Sequence, residues 1–485
     1  MKNTYFKFEY IISLAVFIIL SFVLLLNPII GKHNNGDFGR TICISGIDDL
    51  SNSYNDIYDG FVHTKYKVNY LSLLCPWGHD WTSGVLLVKL SVLLNIIFFN
   101  YPFYYIKFLA MLYILIFCIS VFLIVKYAKF GKTYIPKLGA AVFLLVYFTD
   151  IGYVSYFNSF FGEAASFVFL FLTIGTFFKL ISESKPDKLS LILFFISSTL
   201  FLTAKGQNIP LVIFMLVFYF RIFLVYKNSI SKKLIVSLAI MSFSICALTY
   251  ASIGHTTTIC NKYQTIFTGI LKDSDSVESD LKKLGLSDSY RSLAGTNFFT
   301  PNMPINTMDP SLNSKLYSKI SSLKVLKFYI TNPKRLIDKV NISISHSFAY
   351  FPIKEGNFEK GQYSKNKLFN SFRTYLSVKY KSIYHSSVVF MLFTLIYYLI
   401  ILISYIKERD KINRLLYEFL LLIGLFGTSQ IILPIIGSGE ADLSKHLFLL
   451  NLCYDIMFSV AVIWIINFIY AFFRSISKKS SLTNP

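Results

Sequence analysis

Long apolar runs alternate along this chain with connectors that carry most of its charge. A helix needs roughly 20 apolar residues to cross the ~30 Å hydrocarbon core of a bilayer, and the runs are close to that length. The pattern predicts an all-α polytopic membrane protein, a bundle of about ten transmembrane helices at residues 10–30, 101–125, 136–150, 164–181, 189–204, 209–226, 234–253, 386–406, 415–436 and 447–473.

One further run, at residues 84–99, is apolar enough to be an eleventh span. Lys89 lies in its middle. Counting it as a span would also reverse every later helix and spoil the charge pattern described next. We therefore expect these residues to form a helix that lies along the membrane surface.

The positive charges predict the orientation, because cytoplasmic connectors carry an excess of Lys and Arg. With both termini cytoplasmic, the cation-rich connectors all face the cytoplasm. The connectors at 151–163, 205–208 and 437–446 then face the outside, and their only Lys or Arg residues are Lys205 and Lys445.

Two outer connectors are long, at 31–100 and 254–385. We expect three parts: an N-terminal transmembrane module with the first outer loop (1–253), a large extracytoplasmic loop (254–385) and the C-terminal transmembrane helices (386–485).

The large loop carries helix signals of its own. Residues 276–284 precede Gly285, a favoured residue just after a helix. Asn332-Pro333 is typical of a helix start, since Pro suits the first turn. Residues 369–383 interleave aromatic and cationic side chains, as a helix on a membrane surface does.

Composition narrows the class of protein. Only 15% of residues are charged, against roughly 25% in soluble domains. The net charge of +21 does not indicate nucleic acid, because the cations lie beside apolar segments, where they suit anionic lipid. There is no CxxC or zinc spacing among the six Cys residues. Cys43 and Cys75 share the first loop and either pair there, if it faces an oxidising side, or stay free thiols.

Polar groups at the outer ends of the spans are the candidates for chemistry. Asp37 follows the first span in a glycine-rich turn, and a carboxylate there can accept a proton from a hydroxyl nucleophile. The alternative is a loop turn held by an Asx hydrogen bond.

Two further connectors carry such groups. Glu163, after Asn158, either benefits from the dipole of the helix it begins, or acts as a second carboxylate that orients an acceptor or holds a divalent cation. Lys205 is either a snorkelling anchor or a cation for a lipid phosphate, with Gln207 and Asn208 adding hydrogen bonds.

The connector before the last span contains Asp442, Lys445 and His446. A capped helix start explains Asp442 or Ser444 but not the cation and the imidazole that follow. Asp455 lies deeper, and an acid inside a span is a functional candidate by default.

Taken in order, these motifs resemble the GT-C-type integral-membrane glycosyltransferases that use polyprenyl-phosphate sugars, and in particular bacterial hexosyltransferases of cell-surface glycan assembly. The resemblance runs over nearly the whole chain and rests on the segments 35–40, the helix after Trp81, 153–163, 203–208, 329–333 and 441–446.

The resemblance implies an active site outside the bacterial plasma membrane, with a polyprenyl-phosphate-linked sugar as donor, a glycan or lipid-linked acceptor, and no nucleic acid. Asp37 matches the usual catalytic acid of the first outer loop, with Glu163 as a second catalytic carboxylate. The substrate-binding residues would be Arg40, Asn158, Lys205, Gln207, Asn208, Asp442, Lys445 and His446. No cofactor is implied with certainty; a divalent cation is compatible with the acids.

Other classes remain open. A lipid-linked sugar flippase would place ionisable groups near the membrane midplane and show inverted repeats, and neither pattern is evident. A non-catalytic assembly protein of glycan export would use the large loop for docking. A polymerase or ligase would act on whole lipid-linked oligosaccharides.

Overall fold

The computed structural model describes residues 7–74, 78–99, 102–128, 134–349, 357–364, 367 and 371–480. Within these ranges eight helices are long and apolar enough to cross a membrane: Phe8–Leu25, Lys107–Tyr127, Gly162–Ile181, Gly206–Tyr226, Lys232–Ala251, Ser387–Lys407, Lys411–Ser429 and Phe448–Arg474. A ninth is the broken pair Ile135–Tyr147 and Ile151–Asn158, bent by 63°.

The expected fold class is confirmed, with one difference in length. The run predicted at 189–204 forms the helix Lys188–Leu202, which has 15 residues and is therefore roughly 22 Å long at 1.5 Å per residue. It is shorter than the other spans because Asp187 caps its start and Gly206 follows its end.

The N-terminal half contains twelve α-helices and three short strands. The elements are α1 (Phe8–Leu25), α2 (Phe38–Ser45), β1 (Ile47–Asp48), α3 (Tyr54–Ile57), β2 (Lys65–Val68), α4 (Tyr70–Leu74), α5 (Ser83–Phe98), β3 (Phe103–Tyr105), α6 (Lys107–Tyr127), α7 (Ile135–Val142), α8 (Ile151–Val154), α9 (Gly162–Ile181), α10 (Lys188–Leu202), α11 (Val212–Tyr226) and α12 (Lys232–Ala251). A π-turn at Phe143–Tyr147 extends α7, and 3-10 turns at Ser155–Asn158 and Gly206–Leu211 follow α8 and precede α11.

In the described residues of the large loop and the C-terminal part, the regular elements are helices. The elements are α13 (His255–Gln264), α14 (Val277–Lys283), α15 (Ser311–Lys315), α16 (Ser322–Thr331), α17 (Pro333–His346), α18 (Phe372–Lys379), α19 (Lys381–Tyr384), α20 (Ser387–Lys407), α21 (Lys411–Ser429), α22 (Leu433–Ser438), α23 (Leu443–His446) and α24 (Phe448–Ser480). Short non-α turns lie at Thr265–Ile270, Asp288–Leu293 and Tyr317–Lys319.

Helix α9 is the centre of the bundle. Most of its side chains are buried, and α6 and α10 pack along it. Gly175 allows the close approach of α6, because a Cβ there would lie 2.9 Å from Leu123. The acid at the start of α9 is thereby fixed in a rigid frame.

The first loop folds onto the start of α9 through a small antiparallel sheet of order β1-β2-β3. Ile47 pairs with Val68, and Tyr66 pairs with Tyr104. Both tyrosines are buried and contact Phe160. The sequence did not predict this sheet, since strands of two to four residues give no readable alternation.

Helix α5 has the extent expected of the surface helix. Its buried face, with Val85, Val88 and Val92, packs on the bundle, while Leu86 and Leu90 are exposed on the other side. This two-sided character suits an interfacial helix. That α5 lies along a membrane surface stays a prediction.

The predicted helix signals of the large loop are confirmed where the structure describes them. Asn332 precedes α17 and Pro333 is its first residue. Helix α14 ends just before Gly285, whose φ is +64°. Residues 371–384 form α18 and α19, whereas 369 and 370 lie outside the described residues.

A buried ion pair fastens the large loop to the last span. Arg373 of α18 is 0% exposed and donates to both carboxylate oxygens of Asp455, at 3.1 and 2.5 Å. Tyr153 also donates to Asp455, and the Arg373 backbone N–H donates to Asp150. Asp455, singled out in the sequence as an intramembrane acid, is thus the partner of a cation from the loop.

We predict that Arg373→Met or Asp455→Leu alone destabilises the fold by about 3–5 kcal/mol, because each leaves a buried charge without its counterion. The double variant should recover much of the loss, since no charge is left buried. Thermal unfolding of the purified proteins checks this. Single variants that unfold at the wild-type temperature would contradict the assignment.

Candidate functional site

Asp37 is presented by a sharp turn after the first span. Gly36 has φ +108°, and its N–H donates to Asn34 Oδ1 at 2.8 Å. The Asp37 N–H donates to Asn35 Oδ1 at 3.2 Å. The Asx interactions of the turn therefore come from the two asparagines. Asp37 precedes α2 without capping it, so its carboxylate is directed elsewhere.

That carboxylate meets two cations. Arg40, one turn further on, contacts one oxygen, and Lys445 of α23 contacts the other. The Lys445 ammonium also lies 3.4 Å from Asp442 and 5.0 Å from the centre of the Phe161 ring. The Lys445 side chain is 2% exposed, so it is a buried cation placed among acids.

A strained turn delivers Lys445 to this position. Gly439 ends α22 with φ +62° and ψ −141°, a region essentially limited to glycine. A Cβ there would lie 2.5 Å from the Gln264 carbonyl oxygen. Asp442 then adopts φ +47° and makes no cap hydrogen bond. The helix-cap interpretation of Asp442 is therefore wrong; its carboxylate faces Lys445 and Asn35.

The same turn is tied to the large loop through Glu440. This buried carboxylate accepts from Lys272 at 2.5 Å and also contacts Lys339 of α17. Neither lysine was singled out in the sequence, because nothing local marks them as partners of a residue far along the chain.

Glu163 and Lys205 form a second pair beside the first. Glu163 is buried in the first turn of α9, and the Lys205 ammonium lies 2.6 Å from its carboxylate. Gly162 allows this approach, since a Cβ there would lie 3.2 Å from the Lys205 Cβ. The sequence suggested a helix-dipole role for Glu163 and a membrane-anchor role for Lys205. Neither role includes the ion pair that the two residues form.

His446 joins the two pairs. It follows Lys445 in the chain, and its Nδ1 lies 3.4 Å from the Lys205 ammonium and 3.2 Å from Gln207 Oε1. Gln207 Nε2 donates to the His446 carbonyl oxygen at 2.8 Å and to Gln430 at 2.5 Å. We call this set the charged cluster: Asp37, Arg40, Glu163, Lys205, Gln207, Asp442, Lys445 and His446.

The charges of the cluster shift one another's ionisation. Burial alone would raise the pKa of Asp37, but Lys445 and Arg40 outweigh it and hold that pKa well below its usual range. Burial would lower the pKa of Lys445, and Asp37, Asp442 and Glu163 raise it instead. Burial, Lys205 and Lys445 together lower the pKa of His446, so its imidazole is neutral near pH 7.

One cavity is lined by residues of the cluster, and a second lies beside the chain that leads to Lys205. The first is a space of about 10 Å³ between Glu163, Lys205, Gln207 and His446, scarcely the volume of one water. The second is a mainly apolar cleft of about 250 Å³ between the start of α5 and helices α10 and α12. It reaches Thr203, two residues before Lys205.

Two of the predicted substrate-binding residues, Asn158 and Asn208, use their side-chain amides for hydrogen bonds within the fold. The Asn158 amide donates to the Leu24 and Ile30 carbonyl oxygens, which holds the chain leaving α1. The Asn208 amide donates to Ser166 and to the Phe201 carbonyl oxygen. Asn208 still lines the small cavity, whereas Asn158 makes no contact with the charged cluster.

The sequence left two further features open, a divalent-cation site and a disulfide between Cys43 and Cys75. In the described part of the chain, no three His, Cys, Asp or Glu side chains are grouped so that they could hold a metal ion. Cys43 is an exposed thiol, and Cys75 lies outside the described residues, so their pairing stays untested.

Helices of spanning length, with a charged cluster assembled from their connectors, define a multi-pass membrane protein. The family model described as the YfdI N-terminal transmembrane domain matches residues 1–482. The chain belongs to this family.

Two solved structures of an oligosaccharyltransferase from Archaeoglobus fulgidus are also similar to the chain. The first is AglB in complex with an inhibitory peptide and a dolichol-phosphate, with 10% identity, a TM-score of 0.40, and coverage of 97% of this chain and 52% of that one. The second is tethered to an acceptor peptide, with 12% identity, a TM-score of 0.38, and coverage of 93% and 50%. The chain therefore spans about half the length of these proteins. No curated protein matches the sequence.

We predict that Gly439→Ala lowers the melting temperature and loosens the charged cluster. The added Cβ overlaps Gln264 and Thr268, and the backbone strain alone is of order 1–3 kcal/mol. Gly437→Ala is the matched control, because a Cβ at that position meets nothing within 4 Å. Equal melting temperatures for the two variants would refute this role of Gly439.

Proposed function

We propose that the protein is a GT-C-type glycosyltransferase that moves a hexose from a polyprenyl-phosphate donor to a glycan or lipid-linked acceptor at the outer face of a bacterial membrane. The observation that carries the proposal is the convergence of Asp37, Lys205 and Lys445 in one cluster at the ends of the spans. Sugar transfer needs a base beside an acceptor hydroxyl and cations beside a phosphate leaving group, and the cluster offers both.

The apolar cleft suits the hydrocarbon part of such a donor. It opens between helices of the bundle, and its end at Thr203 adjoins the turn that carries Lys205. The Ser83 N–H donates to the Thr203 carbonyl oxygen at 3.0 Å, which joins α5 to this end of α10. A prenyl chain in the cleft would bring its phosphate towards Lys205.

In the transfer step, the acceptor oxygen forms a bond to the anomeric carbon of the hexose and its proton passes to Asp37. The bond between the anomeric carbon and the phosphate oxygen breaks, and the phosphate leaves with one more negative charge. Lys205 and Lys445 stabilise that charge, because preorganised cations act most strongly where charge develops.

The ion pairs of Asp37 bear on its role as a base. A carboxylate held by two cations is ionised but weakly basic. In our proposal, the donor phosphate draws Lys445 and Arg40 away from Asp37, which raises the basicity of the carboxylate when the sugar is in place.

Asp37→Asn should lower the transfer rate by about 10²–10⁴-fold, the usual contribution of a general base. The amide oxygen can still accept from Lys445, so the fold should persist. Transfer from a radiolabelled polyprenyl-phosphate hexose, by purified protein in lipid, measures the effect.

Asp48→Asn is the matched control: Asp48 is exposed in the same loop and accepts from Asn69. Full activity of Asp37→Asn would exclude the base. Movement of the lipid-linked sugar across the bilayer without transfer would favour the flippase, and inactivity of the purified wild type on every acceptor would favour an assembly protein.

If the site is extracytoplasmic, as we propose, a membrane-impermeant maleimide should label Cys43 in intact cells. Cys43 is exposed on α2, three residues after Arg40. Burial and Asp80 raise the pKa of its thiol, so labelling should accelerate as pH rises. The labelling is measured in the double variant Cys75→Ser/Cys260→Ser, so that these two thiols do not contribute. The triple variant that also carries Cys43→Ser is the negative control. Labelling only after permeabilisation would place the site in the cytoplasm.

A further inference from the structure

The charged cluster is electrically balanced in the resting structure. Its acids are Asp37, Glu163 and Asp442, and its permanent cations are Arg40, Lys205 and Lys445, so the six charges sum to zero. Each lysine is held by at least one of the acids. A phosphate that enters this site adds a negative charge, and buried charge without compensation is unfavourable.

His446 is positioned to supply the positive charge that would compensate the phosphate. Its Nδ1 lies between Lys205 and Gln207, and its ring lines the small cavity together with Glu163. The charged groups that act on it are Lys205 before α11, Lys445 of α23, Asp37 and Arg40 at the start of α2, and Glu163 of α9. Both neighbouring lysines oppose a proton on the ring while no anion is bound.

The cavity is too small for a phosphate as it stands. A phosphate that enters at this cavity competes with Glu163 for the Lys205 ammonium, which lies 2.6 Å from that carboxylate. The ammonium then turns to the ligand, and an anionic oxygen comes within reach of the imidazole that lies 3.4 Å from the same ammonium.

We propose that His446 takes up a proton from water when a donor phosphate enters the charged cluster, and that it contacts the phosphate as an imidazolium. This inference rests on the proposed function, and it names the group that balances the charge of the donor. During transfer, the imidazolium faces the phosphate oxygens as they gain charge, while the acceptor proton goes separately to Asp37.

The direction of the pH dependence follows from this. The pKa of His446 is lowered in the free protein and rises when the anion binds. The affinity gained from the proton is complete below the free-protein pKa and is lost as pH rises through the bound-state pKa. Between these two pKa values, the affinity for the anion falls by up to about tenfold per pH unit.

The test uses methyl farnesyl phosphate, a diester whose single negative charge does not titrate near neutral pH. Its binding to the full chain in lipid nanodiscs is measured by calorimetry in two buffers with different ionisation enthalpies. We expect a buffer-dependent heat that reports proton uptake near neutral pH, and weaker binding as pH rises.

His446→Gln should bind the diester without proton uptake and with a flat pH profile, whereas His63→Gln, in the first loop, should behave as the wild type. If the wild type gives the same binding heat in both buffers, no proton is taken up and the inference is overturned, even if the variant does not fold. Proton uptake that persists in His446→Gln would overturn it as well. Absence of any binding to the wild type would overturn the donor site as well, which separates the two failures.

Discussion

The burial of the Lys445 ammonium is the constraint on which the site depends. A cation that is almost fully removed from solvent requires acids within ion-pair distance, and here they come from the turn after the first span and from the turn before the last. The first loop and the C-terminal helices are thereby held together at one point. Glu440, on the same turn, adds the large loop through two further lysines. Three regions distant in sequence thus share one electrostatic junction.

The helices were predictable because apolarity is a local property. Among the described residues, eight spans and the first half of the broken ninth lie close to where the sequence placed them. The second half, Ile151–Asn158, occupies the predicted connector 151–163, and the helix Lys188–Leu202 is shorter than expected. The strands escaped detection because they are too short to show a period. Asp37, Lys205, Lys445 and His446 stood out as polar residues at the predicted outer ends of the spans. Their mutual contacts, and those of Arg373 and Gln430, were not predictable from one sequence, since pairing across hundreds of residues leaves no local pattern.

Two of the ion-pair systems of the protein, the pair of Arg373 with Asp455 and the charged cluster, differ in their access to solvent. Arg373 and Asp455 are fully enclosed and bidentate, with tyrosines completing their hydrogen bonds. Such a pair fixes the loop helix α18 on the last span. The charged cluster lies at the surface end of the bundle, where Arg40 and Asp442 are partly exposed. The cluster is therefore more open to solvent than the pair of Arg373 and Asp455, and the proposed function uses this access for a charged substrate.

The cluster also bears on how the protein is made. Asp37 leaves the ribosome before its partner Lys445, which follows 408 residues later. Until the C-terminal helices have been inserted, the early acid has only Arg40 beside it, and the binding groups for an anion are not assembled. A nascent chain that is arrested or cleaved before α22 therefore holds an incomplete site.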